Sequence, residues 1–126
     1  MTKIVFFRSS GVYYGFREQG HTGYGESGDD VLCAALSAMT MLIINTIEIS
    51  YASDVDYDVN EGATEIVVRS KAALPEFEED IKKRYAVSGL FQAYFYQLND
   101  LIVDYPDNLE VEVIDVPYSD SHSTTH

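Results

Sequence analysis

Cys33 is the single cysteine of this 126-residue chain, and His21 is its only histidine ahead of the last five residues. They bracket one short stretch, Gly20-His21-Thr22-Gly23-Tyr24-Gly25-Glu26-Ser27-Gly28. A chain reversal there would bring thiol and imidazole together, the minimum set for a cysteine nucleophile with a general base. In that chemistry His21 takes the thiol proton and later hands it to a leaving amine. The plain alternatives are a small buried thiol at Cys33 and, at His21, a loop-edge histidine bonded to backbone.

Asp30 stands three residues before Cys33 and has two open readings. Its carboxylate caps a helix by accepting the amide of Cys33, or it orients His21 as the third member of a triad does. If Asp30 caps, Cys33 is the third helical residue, where the positive end of the helix dipole favours a thiolate. Asp29 and Asp30 oppose this, because nearby negative charge raises a thiol pKa. Ser37 lies one helical turn beyond Cys33 on the same face. It bonds the carbonyl of residue 33 or reaches the site. Gly23, Gly25 and Gly28 make the connecting stretch a flexible loop, since so many glycines cannot form the interior of an element. Glycine amides there are candidate oxyanion donors.

The elements that must position these residues follow from periodicity. Lys3 to Arg8 reads as a first strand, Ser9-Ser10-Gly11 as a turn, and Val12 to Gln19 as the returning strand, with Val12, Tyr14 and Phe16 on one face. A helix follows from Asp29 or Asp30. Its core face is Leu32, Leu36, Met39, Ile43 and Ile47, and its opposite side is so poor in charge that burial on most sides is expected. Asp54 to Val59 and Thr64 to Ser70 form a second hairpin about Asn60-Glu61-Gly62. Pro75 and the acidic run Glu76 to Asp80 suit the start of a second helix, ending near Val103 before Pro106, with a possible break at Gly89. Its aromatic residues Tyr85, Phe91, Tyr94 and Phe95, with Tyr105 beyond, suit a core and a dimer surface. Leu109 to Val116 is a last strand. The order ββαββαβ predicts an α+β fold, one mixed β-sheet with two α-helices. Residues 1–116 form a single domain, and the Ser/Thr-rich end, 117–126, is expected to be a disordered tail. No internal repeat of solenoid period is visible.

Composition narrows the function. Eight basic against 21 acidic side chains give a formal charge of −13. Such a chain repels nucleic acids and anionic membranes, whose binding depends on Lys and Arg. Basic partners are expected instead. The uncharged run Val31 to Ile47 is at the short end for a membrane span and carries Ser37, Thr40, Asn45 and Thr46. It reads as a helix of a soluble core, with no membrane partner. One cysteine excludes an intrachain disulfide, and the opening residues lack signal-peptide order, so the cytoplasm is the expected location. The series Asp54, Asp56, Asp58 and Glu65 imitates a calcium loop, but Val59 occupies the position that needs glycine. His122 and His126 are too sparse for a metal site, so no metal is expected.

The run from Gly20-His21 through Asp30-Val31-Leu32-Cys33-Ala34-Ala35-Leu36-Ser37 closely resembles the ribosomal-processing cysteine protease family, the Prp type. Its mark is Gly-His, a glycine-rich loop, then Asp-x-x-Cys-Ala-x-x-Ser at a long helix. A looser likeness extends over roughly residues 1–115, including Tyr105-Pro106. The resemblance implies a thiol protease, a hydrolase of peptide bonds, acting in ribosome biogenesis. It implies cleavage of the N-terminal extension of the twenty-seventh large-subunit ribosomal protein after a phenylalanine. It also implies a homodimer and no cofactor. Carried over, His21 and Cys33 are catalytic, Asp30 supports them, and Ser37 matches a further motif position. Thr22 stands where the family usually has alanine. A strongly acidic enzyme is suited to a basic ribosomal protein substrate. Two other functions fit the residues: a non-catalytic module binding basic ribosomal segments, and a thiol redox sensor at Cys33.

Overall fold

Five strands form one sheet in the order β3-β4-β2-β1-β5: β1 (Thr2–Ser9), β2 (Val12–Gln19), β3 (Asp56–Asn60), β4 (Glu65–Arg69) and β5 (Leu109–Asp115). The computed structural model describes residues 1–20, 27–60 and 62–119, with 27–30 described by their backbone. The strand β1 pairs antiparallel with β2 and parallel with β5, so the sheet is mixed. Two helices, α1 (Ser27–Asn45) and α2 (Ile81–Asp104), complete the expected α+β architecture.

Phe6 and Phe16 are register partners at the centre of the sheet, both fully buried. Phe16 meets the α2 rings of Phe91 and Tyr94, and Phe6 meets those of Tyr94 and Phe95. Each such phenylalanine contributes about 1.5–3 kcal/mol by leaving water. The edge-on ring geometry adds roughly 0.5–1.5 kcal/mol per pair.

The expected face of Val12, Tyr14 and Phe16 is broken by a β-bulge. Phe7 pairs with Gly15 but Arg8 with Tyr13, so Tyr14 is the extra residue. Tyr13 therefore packs with Phe6 and Phe95, while Tyr14 packs at a tilt on Phe7 and edge-on to Tyr118. This also corrects the end of the domain. Tyr118 lies over the Arg69 guanidinium at 4.4 Å, and Arg69 Nη1 donates to the Ser119 carbonyl at 2.6 Å. Arg69 is 1% exposed and also bonds Asp56 at 2.9 Å. A buried cation needs such partners, so residues 117–119 are part of the packed domain, not of the tail. The tail expected over 120–126 lies outside the described residues.

The second helix begins later than its acidic approach suggests. Lys71–Ala73 forms a 3-10 turn, and Asp80, the last of the acidic run, is the N-cap, accepting from the Lys82 amide at 2.9 Å. The helix passes Gly89 unbroken and ends at Asp104 before Pro106. Of its aromatics, Phe91 and Tyr94 are core and Tyr85 is exposed.

The first helix corrects two expectations. It starts at Ser27, so Gly28 belongs to it, not to the loop. It continues through a π-helical turn, Thr46–Ser50. Leu32, Leu36, Ile43, Ile44 and Ile47 are buried, but Val31, Met41, Leu42 and Ile49 are each more than half exposed. The stretch Val31–Ser50 is long and apolar enough to cross a membrane by length and composition alone. Within one chain this helix is covered on one side, not on most sides.

Candidate active site

Cys33 is positioned by the heptad-like burial of α1. Leu32 and Leu36 anchor the helix in the core, and Cys33 beside them is half-buried. With the helix starting at Ser27, Cys33 is its seventh residue, not its third. The dipole effect is concentrated in the first turn, so the helix does less for a thiolate here than the capping arrangement would. Asp30 lies inside the helix, so it is not the N-cap. That removes the capping reading.

One turn beyond Cys33, Ser37 opens onto a cleft of about 340 Å³ between α1 and the end of the β3–β4 hairpin. Thr40 and Met41 continue the helix wall, and Val59, Thr64 and Ile66 form part of the opposite wall. The Gly20 amide donates to the Thr64 carbonyl at 3.3 Å, which pins the end of β2 to the cleft rim. Gly20 has φ of +87°, and a Cβ there would run into the Met1 carbonyl oxygen. Only glycine meets both demands. The residue before His21 is thus tied to the wall that faces Ser37. His21 itself, with Gly23 and Gly25, lies outside the described residues.

A charged residue that the motif reading passed over closes the cleft. Glu18 on β2 is 1% exposed and accepts a hydrogen bond from the Tyr94 hydroxyl at 3.1 Å. Burial pushes its carboxyl up to about 7, against the opposing pull of the Tyr94 hydrogen bond. Burial, reinforced by the Glu18 charge, drives the Tyr94 phenol well above its ordinary range. Thr40 Oγ1 is buried without a geometrically complete hydrogen bond, yet it lies near enough to Tyr94 to favour that phenolate. The signal for Glu18 was present in the sequence: it follows Phe16 by two residues on one strand, a core-facing phase for a carboxylate.

Among the described residues no group of three or more His, Cys, Asp and Glu side chains is arranged to hold a metal ion. Asp56, of the calcium-like series, is engaged by Arg69.

A model of the family described as cysteine protease Prp matches residues 1–110. No curated protein sequence matches the chain. The crystal structure of SMU.848 from Streptococcus mutans superposes with a TM-score of 0.74 at 23% identity, covering 92% of this chain and 99% of that one. The essential ribosomal processing protease Prp of S. aureus, in complex with a substrate peptide, gives 0.73 at 17% identity, covering 90% and 100%. The same S. aureus protein with a covalently linked product peptide gives 0.71 at 18% identity, with the same coverage. At these identities the structural likeness establishes the fold.

Proposed function

The chain belongs to the cysteine protease Prp family, and we propose that it is the ribosomal-processing endopeptidase of its cell, with Cys33 as nucleophile and His21 as base. As a member of that family it is a cysteine protease. The observation that carries the assignment of residues is the placement of the chain's single thiol, half-buried, one helical turn from the cleft at Ser37.

In this reading His21 removes the thiol proton and Sγ attacks the scissile carbonyl carbon. The tetrahedral intermediate collapses as His21 protonates the departing amine, leaving a thioester on Cys33. A water deprotonated by His21 then releases the acid and restores the thiol. Because Cys33 lies past the first turn of α1, its thiolate depends on the charged imidazole more than on the helix dipole. Asp30, inside the helix three residues before Cys33, serves to orient His21. Ser37 supports the site from the cleft wall.

The proposed substrate is the N-terminal extension of the twenty-seventh large-subunit ribosomal protein, cut after a phenylalanine, in the cytoplasm. The S. aureus relative with its substrate and covalently linked product peptides is consistent with such chemistry. The charge of −13 suits a basic substrate and no nucleic acid. The enzyme works as a homodimer, a second copy covering the exposed apolar residues Val31, Leu42 and Ile49 of this helix and the turn that follows it.

The test is incubation of the protein with the extended ribosomal protein, with and without iodoacetamide, followed by product masses. One cut after phenylalanine, lost on alkylation, is expected. Binding without turnover would leave a peptide-binding module, and Cys33→Ala with full activity would end the assignment.

A further inference from the structure

The sheet ends in a free edge beside the cleft. We propose that the substrate binds there as an extended segment, added to the sheet along the outer side of β3 and bonded to the backbone of Tyr57 and Val59. The proposal rests on the protease reading and deepens it, because it names how the peptide main chain is held.

The direction of the backbone groups follows from strand pairing. The Gly20 amide donates to the Thr64 carbonyl, and the Ser70 amide to the Tyr14 carbonyl. Both pairs continue the antiparallel register of β2 with β4. Backbone bonds alternate between the two sides of a strand, so Glu65, Val67 and Arg69 bond away from β2, toward β3. Their register partners there are Asn60, Asp58 and Asp56. Tyr57 and Val59 lie between these partners and turn N–H and C=O outward. Among the described residues no strand pairs with the outer side of β3, and no backbone group bonds Tyr57 or Val59 from it. Such an edge is a template for an extended chain.

Three observations choose the occupant. The strand β3 runs into the cleft: Val59 and Asn60 line it together with Ser37 and Met41, and Ser37 is one helical turn from Cys33. A segment laid along β3 is thereby led toward the thiol, whereas the other edge strand, β5, lies at the far side of the sheet. Side chains alternate between the faces of a sheet. A peptide residue opposite Val59 therefore meets the apolar wall formed with Met41, and its two neighbours face the side of Asp56 and Asp58. Asp54, Asp56 and Asp58 make this edge acidic in a chain of charge −13. That suits a basic peptide and opposes pairing with the same strand of a second copy.

The test uses fluorescein-labelled peptides of the extended ribosomal segment in which each amide near the cut is replaced in turn by an ester, removing one N–H. Binding to Cys33→Ala is read by anisotropy, and cleavage of the unmodified peptide is read with the wild type. Esters at alternate residues should weaken binding by at least about fivefold, and those between them by less than about twofold. Tyr57→Pro removes an outward N–H that the sheet does not use, so β3 keeps its bonds to β4. It should weaken binding at least about fivefold more than Tyr57→Val, which keeps that N–H. The ester pattern alone decides if Tyr57→Pro folds poorly. No binding of the unmodified peptide, ester effects without alternation, or an alternation that a folded Tyr57→Pro leaves at full strength would overturn the proposal. So would a flat ester pattern in a protein that Tyr57→Pro turns from dimer to monomer in sedimentation velocity, which would give this edge to a second copy. Cleavage without alternation defeats this proposal alone, and alternation without cleavage would instead sink the protease reading.

Discussion

Cys33 sits in the second turn of α1, and its reactivity is therefore a matter of its neighbours. We expect Cys33→Ala and His21→Ala each to abolish peptide cleavage while circular dichroism and the unfolding midpoint stay near wild type. Loss of folding in either variant would instead mark a structural role. Glu18 carries a separate consequence. Its folded carboxyl titrates at about 7, above the ordinary 4.5. The folded state therefore binds more protons than the unfolded state across that window, and stability falls as pH rises from 4.5 to 7. The full difference is on the order of 3 kcal/mol. Urea unfolding at pH 5 and pH 8 should show this loss in the wild type but not in Glu18→Gln. Equal pH dependence in the two proteins would mean that Glu18 is not the group responsible.

At the scale of elements, two glycines have opposite expected responses. Gly89 lies in the interior of α2, and an added Cβ there meets nothing within 4 Å. Gly89→Ala should stabilise the protein by about 0.5–1 kcal/mol, seen as a higher urea midpoint, because alanine loses less backbone freedom in a helix. Gly20→Ala should destabilise by more than about 1 kcal/mol, since the positive φ and the Met1 carbonyl both exclude a side chain. It should also lower kcat, because it displaces the residue joined to His21. A variant that loses stability but keeps kcat would separate the anchoring of β2 from the chemistry.

For the whole molecule, the C-terminal segment and the surface of α1 decide what one chain can bury alone. Ending the chain after Val116 removes Tyr118 and the Ser119 carbonyl from the buried Arg69. A loss of roughly 2–4 kcal/mol in urea unfolding is expected, from a charged hydrogen bond and a cation–π contact. Unchanged stability would show that Arg69 finds other partners. Leu42, exposed on the apolar side of α1, belongs to the proposed dimer surface. Leu42→Glu should turn a dimer into a folded monomer in sedimentation velocity, and a wild-type monomer would refute that surface.

The element order was legible because local patterns carry it. Alternation marked β1, β2 and β5, and Pro106 marked the end of α2. The pairing of thiol, imidazole and glycine stretch was legible for the same reason: residue type and spacing are properties of the chain. What neighbours do to a residue is not. The bulge at Tyr14 arises from the pairing of β1 with β2. The start of α1 at Ser27 moved Cys33 out of the first turn. Tyr118 looked like tail until Arg69, distant in the chain, supplied a cation to cover. The sequence by itself determined which groups can react and which segments form strands and helices, since both follow from local chemistry. Only the tertiary structure decided that Glu18 is a buried acid at the floor of a cleft. Its burial and its Tyr94 partner come from strands and a helix far apart in the chain, and desolvation is a property of that assembly.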